Sequence, residues 1–245
     1  MKDSRAAVIL AAGKGKRMKS DLPKVLHEIH GRPMIMILLD RLIPMGFDKI
    51  VVVVGHKAEL VEAALSDYPV SLVRQTEQLG TAHAVKMAQP VLGDFDGTTL
   101  IAAGDVPFLS ESSIDRLFDV HRRNRAAATC LTAIFEDPTG YGRIIRDGHS
   151  DRMKAIVEHK DATPEQLAIR EINSGTFCFD NQLMFDAIEH IGKENAQGEY
   201  YLTDAVAILH GRGLTVAVVT AENPDEVRGV NSVDQLQYLA ERFSL

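Results

Sequence analysis

Short apolar runs alternate with amphipathic stretches through the first half of the chain. Residues 6–11, 49–54, 70–73 and 98–103 are nearly free of polar side chains, and glycines 13, 55 and 104 follow three of them closely. Unbroken runs of this length fit strands covered on both faces, as in a parallel sheet. Between them the pattern predicts helices. One opens at Pro33 and ends before Pro44, and others cover about 57–65, 81–92 and 112–124. Proline suits a first helical position and stops a helix that runs into it. Strand and helix alternate with the cadence of βαβ units, which predicts a doubly wound, mostly parallel α/β sheet.

The pattern then changes. Residues 126–135, 143–146, 152–157 and 172–179 read as strands with few helices between them, punctuated by Gly140, Gly142 and Gly148. An inserted antiparallel portion is expected here. Helices resume at 182–191 and 203–209, a strand follows at 214–220, and a last helix begins near Asn231. In that helix Leu236, Leu239, Ala240 and Phe243 form one apolar face. No linker or repeat divides the chain. One domain over 1–245 is predicted, with a first part at about 1–110 and a second at about 126–230.

Composition narrows the function. Apolar residues make up 45% and charged residues 25%, which excludes collagen-like and largely disordered chains. Lys plus Arg total 27 against 34 Asp plus Glu, a net charge of −7, so a general affinity for nucleic acid is not expected. Cys130 and Cys178 are too few for a disulfide framework and are expected to be buried thiols. The longest apolar stretch, 34–39, is far below the ~20 residues of a membrane helix, and the chain opens without a leader pattern. A cytoplasmic chain with no membrane partner is expected.

The loop after the first strand carries the first sign of chemistry. It reads Leu10-Ala11-Ala12-Gly13-Lys14-Gly15-Lys16-Arg17-Met18. A glycine-rich turn between strand and helix aims backbone N–H groups at phosphate. The dinucleotide fingerprint fails at Met18, and the P-loop pattern fails as well. With Lys19 and Lys24 the segment holds five cations, enough for a triphosphate, although a solvated basic turn would also produce it. Taken singly, the other polar residues have plain readings: Gln75 an exposed strand end, Asp105 a turn residue, Asn231 a helix cap beside Ser232.

Read together, the motifs resemble the sugar-nucleotidyltransferase family. The resemblance rests on the first loop with Pro23-Lys24, then on Gln75-x-x-Gln78-Leu79-Gly80-Thr81, Gly104-Asp105-Val106-Pro107 and Gly140-Tyr141-Gly142-Arg143. It continues through Ile156-Val157-Glu158-His159-Lys160-Asp161, Glu171-Ile172-Asn173-Ser174-Gly175, Gln197-Gly198-Glu199-Tyr200-Tyr201-Leu202-Thr203-Asp204 and Gly229-Val230-Asn231. The later motifs are similar to bacterial N-acetylglucosamine-1-phosphate uridylyltransferase domains, without the acetyltransferase β-helix that usually follows them.

The resemblance implies a Rossmann-like nucleotide-diphospho-sugar transferase fold. It implies uridylyl transfer from UTP to N-acetylglucosamine 1-phosphate, releasing pyrophosphate, with Mg²⁺ as cofactor. Arg17 and Lys24 would be catalytic. Leu10, Ala11, Ala12, Gly13, Gln75, Gly80, Thr81 and Gly104 would bind the nucleotide. Gly142, Glu158 and Asn173 would bind the sugar, and Asp105 and Asn231 would hold the metal. Such transfers need positioning and charge rather than a side-chain nucleophile, and no nucleophile motif is present. Lys16 stands where the family often has Thr, Ala103 where an aromatic is common, and Ala82 where glycine is common. The last two leave the sugar less fixed than the reaction. Thr203 is expected to cap a helix, and the chain alone is expected to be monomeric, with no protein partner indicated. The competing readings are a transferase of the same fold for another sugar phosphate or NTP, and a nucleotide-sugar-binding module without catalysis.

Overall fold

A computed structural model describes residues 4–18, 20–148 and 151–245. Lys19 and the side chain of Lys16, two of the five cations of the first loop, lie outside the described residues.

In chain order the elements begin with β1 (Arg5–Ala11), β2 (Glu28–Ile29), β3 (Arg32–Pro33), α1 (Met34–Leu42), β4 (Lys49–Val54) and α2 (Ala58–Ala64). They continue with β5 (Ser71–Arg74), α3 (Thr81–Lys86), α4 (Gln89–Leu92), β6 (Thr98–Ala103), α5 (Glu111–Asn124) and β7 (Ala128–Ile134). The second part holds β8 (Arg143–Arg146), β9 (Met153–Val157), α6 (Pro164–Leu167), β10 (Glu171–Asp180), α7 (Asn181–Ile188), α8 (Asp204–Gly211), β11 (Val216–Thr220) and α9 (Val233–Arg242). Single turns of 3₁₀ helix occur at Lys16–Met18, Lys24–Leu26 and Ile43–Met45, with a further one at Pro224–Val227.

A nine-stranded sheet runs in the order β11-β7-β10-β6-β1-β4-β5, with β8 paired to β10 and β9 to β8. β1 pairs in parallel with β4 and β6, β4 with β5, and β11 with β7. Among the described residues, β10 alone in this path runs antiparallel to its neighbours, β6 and β7. The unbroken apolar runs have the predicted cause. Ala6, Val8, Val51 and Val53 pack into one core cluster, while Ala7, Ile9, Ile50, Val52 and Val54 pack into another on the opposite face. A third cluster, with Met18, Ile29, Met34, Phe108, Val230 and Leu239, docks α9, and Leu236, Ala240 and Phe243 pack against it.

Three expectations shift. The helix expected over 81–92 is two helices, α3 and α4. Pro90 sits in the first turn of α4 and has no N–H to offer a preceding turn. The tiny hairpin β2–β3 went unpredicted; its turn residues His30 and Gly31 both have positive φ, at 51° and 77°, without an Asn-Gly signal. The antiparallel portion lies within the main sheet: β10 is inside it, and the β8–β9 hairpin extends from β10. Cys130 and Cys178 are buried free thiols, as expected. Among the described residues no helix is long and apolar enough to cross a membrane.

The reversal of β10 brings one more polar residue to the edge where ligands gather. In an open α/β sheet, ligands bind beyond the carboxyl ends of the parallel strands. Because β10 runs the other way, Asn173 near its amino-terminal end comes to that same edge, beyond the pairing of Phe177 with Ile101.

Candidate active site

β1 and β6 lie side by side, with Leu10 opposite Ala103, and the Gly104 N–H donates to the Leu10 carbonyl at 2.9 Å. Asp105 therefore leaves the sheet next to the first loop. Its carbonyl accepts from the Val230 N–H at 2.9 Å, which ties the segment before α9 to the end of β6. Residues 126 positions apart thus meet: the Lys24 ammonium donates to Asp105 Oδ2 and, at 3.0 Å, to Asn231 Oδ1. The ion pair is largely shielded, with Lys24 at 17% and Asp105 at 13% exposure. Low solvent access strengthens such a charge-assisted pair. Asn231 does not cap α9. Ser232 does, accepting from the Gln235 N–H, and this leaves the Asn231 amide free to face Lys24.

The first loop is open on its outer side. Gly13 has no heavy atom within 4 Å of where a Cβ would stand. Gly15 is different: it has φ +57°, and a Cβ there would lie 2.8 Å from the Lys24 Cβ, so the loop closes over Lys24 only with glycine. Arg17 is exposed and has no hydrogen bond or ion pair among the described residues. It does act on Tyr141. Burial raises the Tyr141 phenol and Asp105 adds to the rise, while Arg228, a hydrogen bond from Gly229 and Arg17 oppose it.

On the other side of Asp105 the sheet supplies a row of polar positions. β8 pairs with β9 as Arg143 to Val157, and with β10 as Ile172 to Arg143. One step beyond the ends of β8 and β9, Gly142 and Glu158 fall in line with Asn173 of β10, and the Asn173 N–H donates to the Gly142 carbonyl at 2.9 Å. A Cβ on Gly142 would lie 3.0 Å from Ile156 Cγ2 and 3.4 Å from Glu158 Oε1. The Asn173 side chain is set from behind: its Oδ1 accepts from the Gly175 N–H at 2.9 Å and faces Cys130 Sγ at 3.4 Å. Burial raises the Glu158 carboxyl above the usual range. The Thr203 hydroxyl, donating to Oε1 at 3.1 Å, lowers it in part, and Asp204 and Asp161 raise it further.

Gln75, which follows β5, is 3% exposed rather than an open strand end. Its amide nitrogen donates to the Gly80 carbonyl at 3.1 Å and meets His83 Nδ1 at 3.0 Å. Gly80 has φ +119°, and a Cβ there would stand 2.4 Å from the Tyr200 carbonyl oxygen. That close approach is stitched on both sides, Tyr200 N–H to the Leu79 carbonyl at 2.8 Å and Ala82 N–H to the Tyr200 carbonyl at 2.9 Å. Thr81 Oγ1 accepts from the Leu202 N–H at 2.9 Å. A continuous chain of contacts therefore runs from Gln75 through Tyr200 to Thr203 and Glu158.

The model of the MobA-like NTP transferase domain matches residues 7–172. The chain belongs to this family. The match takes in the first loop, Asp105, Gly142 and Glu158. The bifunctional protein GlmU of Clostridium beijerinckii is 50% identical over 232 residues, covering 95% of this chain and 50% of that protein. The bifunctional protein GlmU of Bacillus subtilis (strain 168) is 47% identical over 246 residues, covering 99% of this chain and 54% of that one. The chain spans about half the length of the curated relatives it matches. Among solved structures, a UDP-glucose pyrophosphorylase complexed with UDP-glucose superposes with a TM-score of 0.78 at 16% identity, covering 98% of each chain. The inositol-1-phosphate CTP transferase from T. maritima does so with a TM-score of 0.77 at 18% identity, covering 98% of this chain and 94% of that one. These two show the nucleotidyltransferase fold.

Within this family member, the contacts of three residues escaped sequence reasoning. Thr203 stands at the start of α8, but its hydroxyl goes to Glu158 and makes no cap bond. Tyr200 acts through its backbone, which no side-chain pattern reveals. His83 lies in a helix pattern, and nothing in its spacing points to Gln75.

Proposed function

We propose that this chain transfers a uridylyl group from UTP to N-acetylglucosamine 1-phosphate, giving UDP-N-acetylglucosamine and pyrophosphate. The observation that carries the reading is the union of two clusters at one sheet edge, Lys24–Asp105–Asn231 beside the Glu158–Gly142–Asn173 row. The first offers cation and anion handling, the second a polar wall of hydroxyl-reading groups. The near-half identity to GlmU proteins over most of the chain supports it.

In this reading a phosphate oxygen of the sugar phosphate attacks the α-phosphorus of UTP. The bond from that phosphorus to the bridging oxygen breaks, and pyrophosphate leaves with the electron pair. The backbone of Leu10, Ala11, Ala12 and Gly13, with Gly104, lines the nucleotide. Gln75, Gly80 and Thr81 receive the base. Arg17 and Lys24 neutralise charge that builds on the phosphates, and Gly142, Glu158 and Asn173 fix the sugar. Nucleotide binding falls to about residues 1–110 and sugar binding to about 126–230.

The residues fit a magnesium ion. The Lys24 ammonium is a cation lodged between a carboxylate oxygen and an amide oxygen, so this pair of oxygens accommodates positive charge. Among the described residues no group of three or more His, Cys, Asp or Glu could hold a metal. Magnesium needs fewer, since it binds through one or two protein oxygens plus waters and substrate phosphates. Asp105 and Asn231 would hold it, and it would supply charge neutralisation at the phosphates. The reading carries a cytoplasmic location and a monomer with it. The test is to incubate the chain with Mg²⁺, UTP and N-acetylglucosamine 1-phosphate and to identify the product by mass spectrometry. UDP-N-acetylglucosamine formed in step with pyrophosphate supports the reading, and pyrophosphate formed without it refutes it.

A further inference from the structure

We infer that Lys24 is a built-in counterion for the metal oxygens, which keeps metal off the free chain until nucleotide phosphates draw its ammonium away. The inference rests on the reading that Asp105 and Asn231 hold the metal.

The two oxygens are placed without help from Lys24. The Asp105 main chain is tied through its carbonyl to the Val230 N–H at 2.9 Å. Asn231 is fixed twice: its N–H donates to Gln235 Oε1 at 2.7 Å, and its Nδ2 donates to the Gly229 carbonyl at 3.4 Å. With the amide nitrogen engaged there, Oδ1 is the atom left to face Lys24, at 3.0 Å. Besides Lys24, the Asp105 carboxylate has no hydrogen-bond or ion-pair partner among the described residues. A shielded carboxylate and an aimed amide oxygen, with only an ammonium between them, form a cation site that the chain fills with its own cation.

The side chain of Lys24 is able to leave, while its backbone is not. The turn Lys24–Leu26 buries Val25 and Leu26, and the Lys24 carbonyl accepts from the His27 N–H at 3.2 Å. Its Cβ lies against Gly15 of the first loop. The side chain therefore starts beside the phosphate loop and ends, four carbons on, at the two oxygens. Rotation about its own bonds moves the ammonium between these places without a shift of main chain.

The ammonium and a divalent ion exclude each other. Asn231 has one side-chain oxygen, and Lys24 sits on it. Two cations against the same shielded oxygens repel far more strongly than in water. A triphosphate offers the ammonium a charged partner in exchange. When Lys24 turns to it, Asp105 and Asn231 are uncovered. Nucleotide and metal thereby favour each other's binding, and by the same factor in both directions.

The probe is Mn²⁺ alone, which shares the preference of Mg²⁺ for oxygen ligands. Its binding to the full chain without nucleotide is measured by the paramagnetic resonance of the free ion, and thermal midpoints are recorded with and without it. Lys24→Met and Lys24→Gln both remove the charge, and Gln can still donate to Asp105, which protects the fold where Met does not. Both are expected to lower the Mn²⁺ dissociation constant at least about tenfold. Each should also gain thermal midpoint from Mn²⁺, where the unaltered chain gains little. Lys24→Arg keeps the charge and should stay within about twofold of the unaltered chain. Arg17→Ala removes a charge that pairs with neither oxygen, and it too should stay within about twofold. Unchanged affinity in the uncharged variants, or an equal gain in Arg17→Ala, overturns the inference. Asp105→Ala separates the two assignments. If Mn²⁺ binding to Lys24→Met survives the addition of Asp105→Ala, the metal assignment fails with the inference. If Asp105→Ala removes Mn²⁺ binding from the unaltered chain, and Lys24→Met binds the ion no better than that chain, the assignment stands and only the role of Lys24 fails.

Discussion

Asn173 lies in β10, with Gly142 and Glu158 one residue beyond the ends of β8 and β9 and in line with it, whereas Arg17, Lys24 and Asn231 come from single turns or a loop. The strand side is rigid by construction. Its two side chains are each set by a second contact, Thr203 on Glu158 and Gly175 on Asn173, and Ile156 closes the space behind Gly142. The loop side has an exposed Arg17 and a shielded lysine bridging two oxygens, so it gathers opposite charges at the mouth of the site. In the proposed reading, recognition that depends on shape falls to the sheet side and charge neutralisation to the loops. This division suits a reaction that needs a fixed acceptor and a compensated leaving group.

Substitutions should separate the two sides. Asp105→Ala is expected to lower kcat about a thousandfold or more while UTP binding remains measurable by calorimetry. Turnover close to that of the unaltered chain would remove Asp105 from the chemistry. The next largest effect concerns stability beneath the sheet. His121 on α5 is buried beneath β7, 3.0 Å from Thr129 Oγ1, and burial lowers it from 6.5 to about 4. The folded value lies below the unfolded one, so its contribution is complete above pH 6.5 and is lost as pH falls toward 4. The loss amounts to about 3 kcal/mol. Urea unfolding at about pH 7.5 and about pH 4.5 should show His121→Gln losing less stability on acidification by most of that amount. Parallel pH profiles would refute it.

On the loop side, Arg17→Ala is expected to lower kcat about a hundredfold with little change in KM for the sugar phosphate or in thermal midpoint. A change confined to KM would make Arg17 a plain binding residue. The smallest effect belongs to the row itself. Gly142→Ala should raise KM for the sugar phosphate about tenfold and leave KM for UTP within about twofold. Equal changes in both would break the proposed separation of the two sides.

Much of the fold was legible because burial on both faces leaves a plain mark. The runs at β1, β4 and β6 carry few polar residues to confuse them with amphipathic helices. The motifs also located the two clusters. The features that stayed hidden depend on pairings that sequence does not encode locally. The row of Glu158, Gly142 and Asn173 exists only once β8 registers against both β9 and β10. Asn231 looked like a cap until Ser232 took that role, and Thr203 looked like a cap until its hydroxyl was found on Glu158. Gln75 looked exposed because its shield, Gly80 with His83, folds back from the next helix.

Sugar selectivity tests the central claim most directly. Initial rates of pyrophosphate release with Mg²⁺ and UTP should be compared for N-acetylglucosamine 1-phosphate and glucose 1-phosphate. A kcat/KM at least about tenfold higher for the N-acetylated sugar, collapsing in Asn173→Ala, is the predicted result. Equal use of both sugars, or a preference that Asn173→Ala leaves untouched, would contradict the claim that the strand row reads the acceptor.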